Sequence, residues 1–199
     1  MTLTLPRRLL IAGALCLLAL VGLVISEARA RAAGREVILA MEPIDPRSIL
    51  SGHYVILNFT EPLAPGAVCP PIGPAPGARG WVALKPRDDR HIVSGAAKTR
   101  AEAEKLGDIV VRGDASCEEP IPAQTQPNPA PGFPGVTRLR LDVDRFHTSQ
   151  REAEAIEKAM RDRTTGEPRV LAILSIGADG TPRTKGLIVD GKRIELGLF

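Results

Sequence analysis

The densest group of residues able to do chemistry is Asp45-Pro46-Arg47 followed by Gly52-His53-Tyr54. It places a carboxylate, a guanidinium, an imidazole and a phenol in one short segment, a set that can hold a small polar ligand or move a proton. The same residues also describe a turn feeding a strand. Asp45 suits an N-cap and Pro46 the first position of a single helical turn at Arg47–Leu50. Gly52 supplies a backbone conformation closed to other residues. Tyr54–Thr60 is β-branched and aromatic, so a regular strand there puts Leu57 and Phe59 on the core face and Tyr54 on the opposite one.

Elsewhere, catalytic signals are sparse. His53, His91 and His147 are far apart and lack a His-x-x-x-His or Cys-x-x-Cys companion, so neither a metal site nor a cofactor is expected. No phosphate-binding loop, nucleophile elbow or zinc-protease helix is present. Ser48 or Ser51 with Lys85 would make a serine–lysine dyad, but any chain of this size offers such pairs by chance. No catalytic residue is assigned. Cys69 and Cys117 are the only cysteines beyond the N-terminal region. An oxidising compartment would let them pair, and two free thiols are the alternative; sequence alone leaves both open.

The elements that must position these groups begin with a membrane segment. The run Leu9–Ile25 contains no charge and no polar stripe, and as a helix it spans about 25 Å, close to a bilayer core. Arg7 and Arg8 before it favour a cytoplasmic N-terminus over residues 1–8, a span at 9–26 and an exported remainder, although Arg29, Arg31 and Arg35 weaken that asymmetry. Ala28-Arg29-Ala30 would suit a signal peptidase, so a cleaved signal peptide stands as the alternative to an anchor. Cys16 reads as a small apolar residue within the run; Leu15 before it does not suit lipoprotein processing.

The chain has 199 residues, enough for one ordinary domain at 36–199. Two of its 26 basic residues, Arg7 and Arg8, precede the span and no acid does, leaving 24 basic against 23 acidic residues beyond it. That balance gives no electrostatic case for nucleic-acid binding. Aromatics are 3% while prolines number 18 and glycines 19, so the core must be aliphatic. Proline-rich loops are expected at 61–80 and 119–135. Strands are expected at Glu36–Met41, Trp81–Lys85, Arg90–Ser94, Ile109–Arg112 and Val136–Val143, with a helical patch at Thr99–Leu106. Ser149-x-x-Glu152 is a capping box for a helix reaching Arg163, with Ala153, Ile156, Ala159 and Met160 on one face. Val170–Ile176, Thr184–Val189 and Lys192–Leu196 form a meander turned at Asp179-Gly180 and Asp190-Gly191. The expected class is α+β: an antiparallel sheet with one well-marked helix, preceded by a transmembrane helix.

The stretch Gly52-His53-Tyr54-Val55-Ile56-Leu57-Asn58-Phe59 resembles the motif of the GDYXXLXY family of bacterial membrane-anchored proteins. Gly52, Tyr54 and Leu57 match, His53 stands in place of the aspartate and Phe59 in place of the final tyrosine. Asp45-Pro46-Arg47, Phe146 and the closing meander also fit, so the resemblance covers nearly the whole chain. It implies location and architecture rather than an activity. The expected location is the bacterial inner membrane, single-pass, with the C-terminal domain in the periplasm beside a multi-spanning membrane protein. The expectation for function is a non-enzymatic interaction domain. The alternative is an exported enzyme or small-ligand binder using the Tyr54 and His53 neighbourhood.

Overall fold

The computed structural model describes residues 5–41, 54–63, 67–72, 80–119, 135–143, 145–147, 156, 159 and 170–195. Helix α1 (Leu5–Ala33) carries the apolar run and continues through the helix-forming alanines and arginines after it. The helix therefore outlasts the expected span by almost two turns. Its large apolar side chains are exposed on all sides, from Leu9 at 66% to Val24 at 58%, a surface suited to lipid rather than water. Only Gly34 separates it from strand β1 (Arg35–Ala40). A Cβ at Gly34 would collide with the Ser175 side chain and the Ile176 carbonyl, which is why the junction uses the smallest residue.

β1 runs antiparallel to β9 (Val170–Ile176), with Arg35 opposite Ile176 and Ala40 opposite Leu171. β9 is buried along its whole length, Ser175 included, and its otherwise apolar sequence suits a strand covered on both faces. β10 (Pro182–Val189) and β11 (Lys192–Glu195) complete a four-stranded sheet ordered β1-β9-β10-β11. The expected three-stranded meander is present and gains β1 as a fourth strand, a long-range pairing that no local pattern announces. Its second turn has positive φ at both Asp190 (49°) and Gly191 (76°), the geometry expected of a tight Asp-Gly hairpin.

The other sheet contains β3 (Phe59–Pro62), β4 (Gly80–Arg87), β5 (Arg90–Ala97), β6 (Ile109–Glu118) and β7 (Val136–Arg140), in the order β3-β7-β6-β4-β5. β2 (Tyr54–Ile56) pairs separately with β8 (Arg145–His147). The expected single strand Tyr54–Thr60 is thus two strands, broken at Leu57-Asn58 and divided between two pairings. β6 runs on to Glu118, past the expected end at Arg112, because β4 and then β7 successively satisfy its backbone. β7 stops at Arg140, short of Val143. The helical patch condenses to α2 (Arg100–Ala103), opened by a Thr99–Glu102 capping box.

β1 lies between the sheets. Met41 forms an isolated bridge with Phe59, and the Ile38 amide donates to His91 Nδ1 in β5 at 3.2 Å. Both edges of the five-stranded sheet therefore approach one strand, covering backbone that would otherwise template aggregation. A single apolar cluster joins the sheets, with Val37, Phe59, Val82, Val111 and Leu174 among its members. Ile156 and Ala159 are helical and buried in it, as the expected helix face requires. The Ser149–Glu152 capping box, Ala153, Met160 and the remainder of that helix lie outside the described residues. The architecture is α+β with antiparallel sheets.

Candidate functional site

The described part of the Gly52–Phe59 motif is a folding element. β2 sets Tyr54 opposite His147, Val55 opposite Phe146 and Ile56 opposite Arg145. Leu57 and Phe59 are each 4% exposed and Phe146 is 1% exposed, so these apolar side chains are core. Asp45, Arg47, Gly52 and His53 lie outside the described residues, as do Ser48, Ser51 and the expected turn at Arg47–Leu50. Lys85 is exposed on β4. Among the described residues no three His, Cys, Asp or Glu side chains gather to hold a metal.

Cys69 and Cys117 form a disulfide, with their Cα atoms 5.8 Å apart. Cys117 sits in β6 rather than in a loop. The bond fastens the proline-rich segment 67–72 to the sheet, where Ile72 also bridges Ala96 and the Ala96 amide donates to the Pro71 carbonyl at 2.9 Å. Part of the presumed surface loop is therefore a strap along the β5 edge.

A cluster that sequence reasoning did not single out surrounds the sole tryptophan. Two guanidinium groups lie over the Trp81 ring of β4, Arg100 at 5.5 Å and Arg112 at 5.0 Å from the centroid. Both arginines also hold the β9–β10 turn. Arg100 donates to the Ala178 carbonyl at 2.7 Å and Arg112 Nε to the Asp179 carbonyl at 2.9 Å. The Arg112 amide donates to the Gly180 carbonyl, also at 2.9 Å. Asp179 accepts from the Thr181 amide and hydroxyl, and the hydroxyl bond above all lowers its carboxyl pKa. Beside Trp81 a groove of about 370 Å³ is lined by Arg112, Asp114, Arg140 and Asp142. Its side chains carry both charge signs, which suits a polar or charged ligand. The available sequence signals were the single Trp81 and the Asp179-Gly180 turn, separated by about half the chain.

A second groove, about 440 Å³, opens where α1 meets the sheet, lined by Ala33, Arg35, Arg100, Glu104, Asp108 and Gly177 among others. Glu27 on the last turns of α1 pairs with Arg183 of β10 at 3.0 Å, and Arg35 donates to the Asp108 carbonyl at 2.9 Å. Nearby, Glu36 accepts from Arg193 at 2.7 Å and Lys185 at 2.8 Å. The Arg193 bonds chiefly, then Lys185, hold its carboxyl at a pKa of about 2 against the opposing effect of burial. These ion pairs fix the helix and three strands at one end of the molecule.

A family model described as GDYXXLXY protein matches residues 16–187, most of the chain. No curated protein and no solved structure matches it.

Proposed function

The chain belongs to the GDYXXLXY protein family, and we propose that it is a single-pass protein of the bacterial inner membrane whose periplasmic domain is an interaction module rather than an enzyme. Residues 1–8 remain in the cytoplasm, 9–26 span the membrane, and 36–199 form one exported domain that docks beside a multi-spanning membrane protein. The observation that carries this reading is the continuity of α1: an exposed apolar helix passes into β1 through Gly34 alone and is tied to β10 by Glu27 and Arg183. Ala28 and Ala30 are half-buried inside that helix, and cleavage after Ala30 would remove Glu27 from its partner. The Cys69–Cys117 bond supports an oxidising compartment.

Fractionation with N-terminal sequencing tests the anchor: an intact membrane-bound chain is expected, and a soluble chain beginning near Arg31 would reject it. Crosslinking in native membranes tests the module. One specific integral membrane protein should be captured by the wild type and lost with Tyr54→Ala; equal recovery of unrelated proteins by both would reject docking through that strand.

A further inference from the structure

The arginines that weaken the charge asymmetry around the membrane span converge on one end of the exported sheet. With the span at 9–26, a headgroup layer of about 5–7 Å takes in the next turn of α1, from Glu27 towards Arg31. Arg29 is exposed on this stretch. Arg31 follows it with a buried Nε that has no hydrogen-bond partner. Gly34 then starts β1, and because Arg35 is opposite Ile176, the turn after β9 returns to the same end. Gly177 and Ala178 of that turn line the groove with Ala33 and Arg35, and Arg112 is fastened to the same turn through Asp179 and Gly180.

The acids at this end are largely engaged. Glu27 pairs with Arg183, Glu104 with Arg100, and Asp179 accepts from Thr181. Among the described residues, no carboxylate lies at ion-pair distance from Arg29, Arg31, Arg35 or Arg112. Arg35 and Arg112 donate instead to main-chain carbonyls, those of Asp108 and Asp179. Four cations are thus spread over a ledge around the helix exit rather than focused into one pocket, the distribution that suits a charged plane.

We propose that this ledge is a lipid-facing surface on which Arg29, Arg31, Arg35 and Arg112 take the phosphates of anionic phospholipids in the leaflet next to the domain. The proposal rests on the membrane-anchored reading and adds the chemistry of the surface the domain meets. Lipid phosphates would neutralise the exposed Arg29 and Arg35 side chains and would draw the domain down onto the bilayer. They also give the basic residues on this side a role that does not depend on insertion topology.

Trp81 is the only tryptophan and is packed against the ledge, so it reports the distance to the membrane. Full-length protein is reconstituted into vesicles of phosphatidylcholine alone or of one-third phosphatidylglycerol, each with a trace of headgroup-labelled dansyl lipid. Energy transfer from Trp81 to dansyl should be about twofold higher with phosphatidylglycerol and should fall to the phosphatidylcholine level in Arg29→Gln/Arg35→Gln or at about 1 M salt. Both substitutions are at exposed side chains outside the Trp81 stack. Equal transfer in the two vesicle types would overturn the proposal while leaving the anchor intact. Loss of the difference on adding millimolar inorganic phosphate would reassign the arginines to a free anion and likewise overturn it. Failure of the chain to float with either vesicle type would reject the anchor itself, and the proposal with it.

Discussion

Gly180 packs against the six-membered-ring edge of Trp81, and a Cβ there would collide with Cζ3 and crowd Cη2 and Cε3. Its φ of +79° is also unfavourable for other residues, so the turn and the ring demand glycine independently. Gly180→Ala should cost about 2–4 kcal/mol, combining overpacking with left-handed strain. Urea denaturation of the detergent-solubilised chain, followed by Trp81 emission, measures it; a midpoint unchanged from wild type would show that neither the ring nor the turn demands glycine.

The disulfide closes a separation of 48 residues. Loop-closure entropy alone gives about 4 kcal/mol for a loop of that size, a value that native strain or residual unfolded structure reduces. Cys69→Ser/Cys117→Ser should therefore unfold at clearly lower denaturant, and the oxidised wild type should migrate faster than the reduced form on a denaturing gel. Equal midpoints with and without reductant would show that the 67–72 strap contributes nothing to stability.

His91 gives the domain a pH dependence of defined sign. Burial, followed by the Arg35 charge, pushes its imidazole below the ordinary 6.5, and only the neutral ring can accept the Ile38 amide at Nδ1. The folded state thus binds this proton more weakly than the unfolded state. Its contribution is fully present above pH about 6.5 and is lost as pH falls below that value. Wild-type stability should drop on acidification from pH 7 to 5.5 more than that of His91→Gln, whose amide oxygen can keep the bond. Parallel pH profiles would remove His91 from the seam between β1 and β5.

Phe59 belongs to the family motif and to the core, and the two roles separate by mutation. Phe59→Ala should lose about 3–5 kcal/mol, because a large side chain only 4% exposed leaves a cavity. Asn58→Ala, next to it and exposed, should stay within about 0.5 kcal/mol of wild type. Thermal melts of the two variants decide it; a mild effect at Phe59 would mean the site collapses around the loss.

Local pattern marked many elements correctly because their signals are local. The capping box at Thr99 could be placed as a helical patch, the Asp190-Gly191 turn needed only two adjacent residues, and β9 showed as a strand in a run apolar but for Ser175. Leu57 and Phe59 were legible as core because alternate side chains of a strand share a face. The break between β2 and β3 was not legible, since each half is equally strand-like and only its partner, β8 or β7, separates them. The groove beside Trp81 was hidden for a similar reason: its arginines and turn come from distant segments and meet only in the fold.

By itself, then, the chain's order of residues determined an apolar helix, the antiparallel α+β class and the motif that marks its family, all properties written in period, composition and short spacing. The tertiary structure decided the rest. It joined Cys69 to Cys117, set β1 between two sheets, carried α1 through Gly34 without a linker and gathered Arg100 and Arg112 on Trp81. Each of these is a contact between segments far apart in sequence, selected by which surfaces the folded chain can bury together, and no window along the chain contains that information.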